Sequence, residues 1–463
     1  HQFLSNRVKN LATSQTLAMA AKARELRSQG KDVIGLSLGE PDFNIPDFIK
    51  EAAKKAIDEN YNSYTPVDGY GDLKEAIITK FKRDNNLEYS ASEIVVSTGA
   101  KQALYNIASV LINPGDEVIL PCPYWVSYSD IIKLKGGIPV EIKTSIENNF
   151  KMTGEQLKNS INEKTKMVWF SSPCNPSGSV YNEKELKEIV DVLESHKNIF
   201  VVSDEIYEHI NYKGEHLSIG SFDTIKERTI TVNGVSKAFA MTGWRIGYIG
   251  APEWIARACN KVQGQVTSGA NCIAQRAVIT ALNENPDKIE YMVEEFKSRR
   301  DLILNLLNET TMSVQSMGWN FNTHYNYSVS VDDTGKIPLP SNCVQADASS
   351  ANRSYNWLMR NGHRYDLDNH TDVFTADKQL DVVLVQQFEH LPEYARRYIT
   401  MKAARRFAAR FVGDAEITKL IGQDEQEALM AFHQADSQES DVNILEGDSN
   451  TFSIIHRPTR RNY

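Results

Sequence analysis

The stretch NGVSKAFAMTGWRIGY, residues 233–248, sets a lysine among small and apolar neighbours just beyond the β-branched run TITVN (229–233). A lysine on a solvated face stays charged, but flanks such as Ala238, Phe239 and Ala240 strip water from the amine and favour its neutral, nucleophilic form. Lys237 is therefore the first candidate catalytic residue, with Arg245 eight positions on at the start of the run RIGYIG (245–250). Outward from here the same short apolar runs recur as EIVVS (93–97), DEVILP (116–121), IPVEI (138–142), KMVWF (166–170) and IFVVSDE (199–205). Amphipathic stretches lie between them. KQALYNIASVLI (101–112) follows the turn STGA, and EKELKEIVDVLES (183–195) has apolar residues at i, i+3 and i+4. The alternation predicts an α/β domain with a mostly parallel sheet covered by helices on both faces, and ligands gathered at the carboxyl ends of the strands.

At 463 residues the chain has room for two or three domains of roughly 100–200 residues each. A net charge of -9 argues against a general nucleic-acid or membrane surface, because phosphate-rich partners select basic faces. The five cysteines, Cys122, Cys174, Cys259, Cys272 and Cys343, form no CxxC pair and read as reduced thiols. No apolar run approaches the roughly 20 residues of a membrane span, and the start HQFLSNRVKNL has no signal-peptide core. The expectation is a cytoplasmic protein without nucleic-acid or membrane partners.

Basic-residue usage inverts along the chain: residues 1–309 hold 26 Lys and 10 Arg, residues 310–463 hold 4 Lys and 11 Arg. Lys and Arg serve equally well on most solvated faces, so folding does not demand this shift. It suggests two coding backgrounds, joined inside the helical stretch DKIEYMVEEFKSRRDLILNLLNE (287–309).

SKAFAMTGWRIGY resembles the Schiff-base motif of fold-type I, class I aminotransferases dependent on pyridoxal 5'-phosphate (PLP), and the γ-subgroup of aspartate aminotransferases in particular. The resemblance runs through NLATSQTLAMAAKA (10–23), LSLGEPDF (36–43), YTPVDGYGDLKEAI (64–77), STGAKQAL (97–104), PYWVSY (123–128), SSPCNPSGSVY (171–181) and VVSDEIYEHI (201–210). Several ordered motifs matching together are far more specific than one. The resemblance implies an N-terminal arm and part of a small domain over 1–40, and a PLP-binding large domain with its connecting helix over 41–309. Lys237 would carry the cofactor and act as general acid and base. Asp204 would pair with the pyridine nitrogen, although without the surrounding motifs an aspartate ending a strand reads more simply as a helix N-cap. Tyr207 and Asn175 would hold the cofactor's phenolic oxygen, and Trp125 would stack on its ring.

Gly99 and Ala100, opening a helix, would cup the phosphate with Ser236 and Arg245, and Tyr64 would reach the phosphate of a neighbouring subunit in a homodimer. Gly39 would contact the substrate α-carboxylate through its backbone. Ser14, Thr16 and Lys101 would recognise a distal carboxylate, which points to aspartate or glutamate as amino donor and a 2-oxo acid as acceptor. No metal is implied.

After residue 309 the family would continue with a Gly-Phe-Tyr strand, a VVPGSxFG-like segment and a strand arginine that clamps the α-carboxylate. None is found, and RRFAARF (405–411) has helical rather than strand spacing. VQSMGWNFNT (314–323), LPEYARRYITMKAARRFAARFVG (391–413) and NILEGDSN (443–450) instead resemble the tail tubular protein A family of short-tailed phages, whose adaptor subunits form a ring in the virion tail. Within 310–463, NYSVSVDD (326–333) and QLDVVLVQQF (379–388) read as strands. Residues 393–411 read as a helix with Tyr394, Tyr398, Met401 and Phe407 among arginines, and HRPTRRNY (456–463) reads as a flexible tail. Three readings follow: an aminotransferase with a foreign C-terminus, a tail adaptor with an unusual N-terminal fusion, or a chimera that performs neither role well. Most of the chemical specificity lies in 1–309, which favours the first.

Overall fold

The computed structural model describes residues 3–9, 15–31, 33, 39–214, 216–349, 355–412 and 415–439. Ser14 and the segments NILEGDSN and HRPTRRNY lie outside them. The chain divides into two compact units, His1–Phe296 and Lys297–Tyr463.

The first unit begins with helices α1 (Asn6–Lys9), α2 (Gln15–Ser28), α3 (Asp47–Asp58) and α4 (Gly71–Asn85). Strands and helices then alternate: β1 (Ile94–Ser97), α5 (Ala100–Leu111), β2 (Glu117–Cys122), α6 (Ser127–Leu134), β3 (Ile138–Lys143) and α7 (Gly154–Ser160). There follow β4 (Thr165–Ser171), α8 (Glu183–Glu194), β5 (Phe200–Asp204), β6 (Thr229–Gly234), β7 (Gly247–Gly250), α9 (Glu253–Val266) and α10 (Cys272–Asn283). The sheet order is β1-β7-β6-β5-β4-β2-β3. β2 to β6 run parallel and β7 is antiparallel to both its neighbours, so β1 points the same way as the parallel strands. This is the mostly parallel α/β sheet expected from the sequence.

Burial of both faces explains why the strands read as continuous apolar runs. Ile94 and Val96 pack with Leu73, Ile77 and Val278 in one cluster, while Val95 between them packs with Leu104, Ile107 and Ile255 in another. Ile119 likewise joins Leu186, Ile189 and Val190 in a third, apart from its neighbours Val118 and Leu120. Capping fixes the helix starts: Asn182 accepts from the Glu185 N–H as Glu185 returns the contact, the reciprocal arrangement of a capping box.

Helix α11 (Glu290–Gln315) crosses the division between the units. The second unit continues with β8 (Thr323–Val329), β9 (Cys343–Ala348), β10 (Trp357–Arg360), β11 (His363–Asp366), β12 (Lys378–Leu384), α12 (Glu393–Phe407) and α13 (Ala415–Glu439). It holds an antiparallel sheet β8-β12-β9 and a hairpin β10-β11. RRFAARF is helical, lying in α12 and the π-turn Ala408–Val412 that extends it. Tyr398, with Tyr394 and Met401 packed beside it, joins the core as read in the sequence, but the buried residues of α12 include smaller ones. The buried set is Ala395, Tyr398, Ile399 and Ala403, while Tyr394, Met401 and Phe407 are only half-buried. Alanines let α12 and α13 approach closely, and Phe432 of α13 fills the space, its ring 5.4 Å from Tyr394 and 5.5 Å from Tyr398. All five cysteines are free. Among the described residues no helix is long and apolar enough to cross a membrane.

Candidate active site

The carboxyl ends of β1, β2, β4, β5 and β6 open into a cavity of about 580 Å³. Gly39, Ala100, Lys101, Trp125, Asn175, Asp204, Tyr207, Ser236, Lys237 and Arg245 all line it, so the sheet gathers residues that the sequence scatters over two hundred positions. Gly99 caps α5 beside it. Tyr64 is 98 % exposed and does not line the cavity. Thr16 lies on α2, and its side chain is outside the described residues.

Lys237 follows β6, and its Nζ donates to the Gly39 carbonyl at 2.5 Å and lies 5.7 Å from the centre of the Tyr207 ring. Burial pulls its amine below the ordinary lysine range, Glu40 and Asp204 oppose that, and Arg245 adds to it. Asp204, the last residue of β5, is buried, and burial pushes its carboxyl up to about 6. Two donors hold the rise in check: Tyr128 Oη donates to Oδ2 at 2.7 Å, and the Ile206 N–H donates to Oδ1 at 3.3 Å. Asn175 Nδ2 donates to Tyr207 Oη at 3.4 Å. Burial and the nearby Asp204 charge raise the Tyr207 phenol, against the Asn175 contact.

Arg245 departs from the expected strand start. It takes a left-handed conformation (φ 58°, ψ 51°) two residues before β7, with Nη1 donating to the Thr242 carbonyl at 2.8 Å. The turn carries its guanidinium to the N-terminus of α5, where a Cβ on Gly99 would collide with it. Gly99 itself has φ 82°, which glycine adopts at no steric cost. The first N–H groups of a helix have no acceptor within it, so cation and helix start face the same space. Lys101 Nζ lies 4.6 Å over the Trp125 ring, and burial, with Arg245 close by, lowers its amine too.

Tyr128, Glu40 and Thr242 are among the wall residues that the sequence did not single out. Tyr128 lay inside the motif PYWVSY, yet nothing local signals that it meets a carboxylate 76 residues away. Its ring is wedged edge-on against Trp125 and beside Trp169, with centroids 5.5 Å and 5.2 Å away. Glu40 and Thr242, joined by a 2.9 Å hydrogen bond from Thr242 Oγ1, complete the wall near Lys237.

This fold and its cavity are those of an aminotransferase: the chain belongs to the aminotransferase class I and II family, whose pattern matches residues 31–325. An aspartate aminotransferase of a Bacillus species is 50 % identical over 305 residues, which are 65 % of this chain and 77 % of that protein. An aspartate/prephenate aminotransferase of Cereibacter sphaeroides is 46 % identical over 313 residues, 66 % and 77 % of the two chains. Among solved structures, aspartate aminotransferase from Rhizobium meliloti superposes with a TM-score of 0.64 at 43 % identity, covering 66 % of this chain and 77 % of that one. The family implies PLP as cofactor. A second family, tail tubular protein, matches residues 288–442, so the two matches overlap over 288–325.

Proposed function

We propose that the cavity binds PLP and that the chain moves an amino group between aspartate or glutamate and a 2-oxo acid. The observation that carries this reading is the pairing of a buried carboxylate, Asp204, with a desolvated amine, Lys237, in one cavity whose wall also holds a guanidinium. The donor set fits the cofactor. Arg245, Ser236 and the start of α5 suit a phosphate, Asp204 suits a protonated ring nitrogen, and Lys237 suits an aldehyde carbon. Bound there, PLP would supply a sink for the electrons of the substrate Cα–H bond.

The protein's own groups do the rest. Lys237 Nζ, whose proton is held less tightly because burial lowers the amine, takes the Cα proton and gives it back. Asp204 stays anionic with help from Tyr128. Asn175 and Tyr207 offer an amide and a phenol to the cofactor's oxygen, and Trp125 forms a flat wall. The backbone of Gly39 takes the α-carboxylate, while Ser14, Thr16 and Lys101 serve the distal one. The active unit is a cytoplasmic homodimer in which Tyr64 crosses to the partner's site.

The domain division proposed is an arm over 1–40, the catalytic part over 41–309 and a tail tubular-like part over 310–463. Turnover is proposed to be low, because the substrate-clamping arginine that the family resemblance implies after residue 309 is not found there. A transition state without its bidentate arginine–carboxylate pair is destabilised by several kcal/mol.

Adding PLP to the purified protein is expected to give the absorption of a lysine-bound cofactor, with weak oxaloacetate formation from aspartate in a coupled assay. An unchanged spectrum would sink the cofactor reading, and near-normal turnover would sink the clamp argument. The match over 288–442 favours a second reading for the C-terminal part, a tail adaptor. Rings in electron micrographs would support it, and dimers alone would count against it. Tyr128→Phe is expected to weaken PLP binding roughly tenfold to a hundredfold, since a hydrogen bond to a charged group is worth ~1.5–3 kcal/mol. An unchanged dissociation constant in an absorption titration would remove Tyr128 from the site.

A further inference from the structure

Directly after Asp204 the chain buries a second carboxylate, Glu205, which does not line the cavity. Its Oε1 accepts from Ser203 Oγ at 2.9 Å and Ser218 Oγ at 2.6 Å, and its Oε2 accepts from Asn85 Nδ2 at 3.0 Å. His216 Nε2 lies 2.9 Å from the same Oε2. The network continues: Asn85 Nδ2 also donates to Glu208 Oε2 at 2.6 Å, and Glu208 Oε1 pairs with the buried Lys80. On the far side His209 Nε2 stands 3.3 Å from Glu208 and 3.7 Å from Asp84, which Arg83 contacts at 2.5 Å.

Glu205, Glu208 and Asp84 are three carboxylates, and against them stand the side chains of two basic residues, Lys80 and, at the solvent edge of the cluster, Arg83. A buried cluster left one charge short is costly. One imidazole proton closes the balance. Glu205, Glu208 and His216 also lie close enough together to ligate a metal ion, yet the Lys80 ammonium already supplies a cation to Glu208, so a proton is the simpler resident. Of the two imidazoles His216 stands nearer the cavity chemistry, because its partner Glu205 is fully buried and adjacent in sequence to Asp204; among the described residues its buried Nδ1 finds no acceptor, a cost that the Glu205 contact has to offset.

We propose that His216 is a positioning residue: holding a proton, it neutralises Glu205 and so keeps the neighbouring Asp204 carboxylate charged at the cavity wall. The proposal rests on the role given to Asp204 above. Two electrostatic directions agree with it. Burial disfavours charge on His216, but Glu205 and then Glu208 outweigh that and raise the imidazole above its ordinary value, with Lys80 opposing. Asp204 is raised first by burial and further by the Glu205 charge, while Tyr128, the Ile206 N–H and Lys237 pull it down. If His216 loses its proton, the Glu205 charge acts unopposed and Asp204 keeps its own proton to higher pH.

The test uses the full chain without cofactor, with aspartate carboxyls and histidine Cε1 labelled with carbon-13. In the unmodified protein His216 is expected to titrate above 6.5, and a midpoint at or below 6.5 overturns the proposal whether or not any variant folds. His216→Gln, which keeps a donor toward Glu205, is expected to move the Asp204 midpoint up by about one pH unit, and Glu205→Gln to move it down by a similar amount. A merely structural role would let water into the cluster and move both the same way; shifts of one sign, or none, overturn the proposal. PLP absorption recorded alongside separates this claim from the one beneath it. A normal spectrum without opposed shifts sinks the role of His216 alone, whereas opposed shifts without PLP binding sink the cofactor reading and with it the catalytic meaning of the coupling.

Discussion

Lys237→Ala is expected to lose the absorption of lysine-bound PLP and to lower transamination by at least roughly 10³-fold, within the range for removing a general acid–base together with its covalent role. The same substitution is expected to leave the cofactor-free fold as stable as before at pH 7. The sign follows from the direction of the shift. Burial lowers the Lys237 amine in the folded protein, so its charge costs stability below that lowered value, and the cost is relieved as pH rises from there toward 10.5. Removing the amine at pH 7 therefore removes a desolvation cost along with one hydrogen bond to Gly39. Between the lowered value and 10.5 the unmodified protein gains stability relative to the variant. Thermal unfolding at pH 7 and pH 10, with PLP titrations on both proteins, checks each part. The competing amine is Lys101, which lines the same cavity and is also lowered by burial. Lysine-bound absorption persisting in the variant would transfer the role to it.

The seven-stranded sheet was legible because strands buried on both faces must be apolar throughout, and each run expected in 93–250 became a strand to within two residues at either end, whereas NYSVSVDD and QLDVVLVQQF overran the strands Thr323–Val329 and Lys378–Leu384 by four residues at their ends. What the sequence hid was geometry set by single residues. Arg245 read as the first residue of a strand, but the left-handed turn at 245 is decided by the packing of β7 against the start of α5, where a Cβ on Gly247 would strike the Ala100 nitrogen. Periodicity carries no trace of that. Tyr128 and the pair of Glu205 with His216 were equally silent, since a buried polar partner is specified by tertiary contact and not by local pattern. Lys237 could be read early because its apolar flanks and its place after a strand are local facts. In α12 the pattern showed the large side chains, since Tyr398 is buried and Tyr394 and Met401 pack on the same core, but not the small ones, Ala395 and Ala403, that are buried with Tyr398.

Asp204→Asn is expected to separate folding from chemistry in opposite directions. The carboxyl is fully buried and raised from 3.8 to about 6, chiefly by desolvation, so holding it ionised in the cofactor-free protein costs roughly 3 kcal/mol at neutral pH. The folded state binds more protons than the unfolded one between those two values, and stability from this group therefore falls as pH rises from 3.8 to 6 and stays low above it. Asparagine has nearly the same shape but one acceptor where the carboxylate has two: turned toward Tyr128 its Oδ1 leaves the Ile206 N–H without its partner, so the variant escapes the charge cost less the roughly 1 kcal/mol of that backbone hydrogen bond. Its melting temperature is expected to exceed that of the unmodified protein at pH 7–8, and the advantage to vanish below pH 4. Turnover moves the other way. An amide cannot hold a proton on a ring nitrogen by charge, and loss of one fixed electrostatic partner of a transition state typically costs roughly 10²–10³-fold. Melting scans across pH 4–8 on cofactor-free protein, with steady-state rates on PLP-loaded protein, measure both. A variant less stable than the parent at pH 8 would show that Asp204 sits there for packing. One that transaminates normally would show that the buried charge, costly as it is to the fold, is not what the chemistry uses.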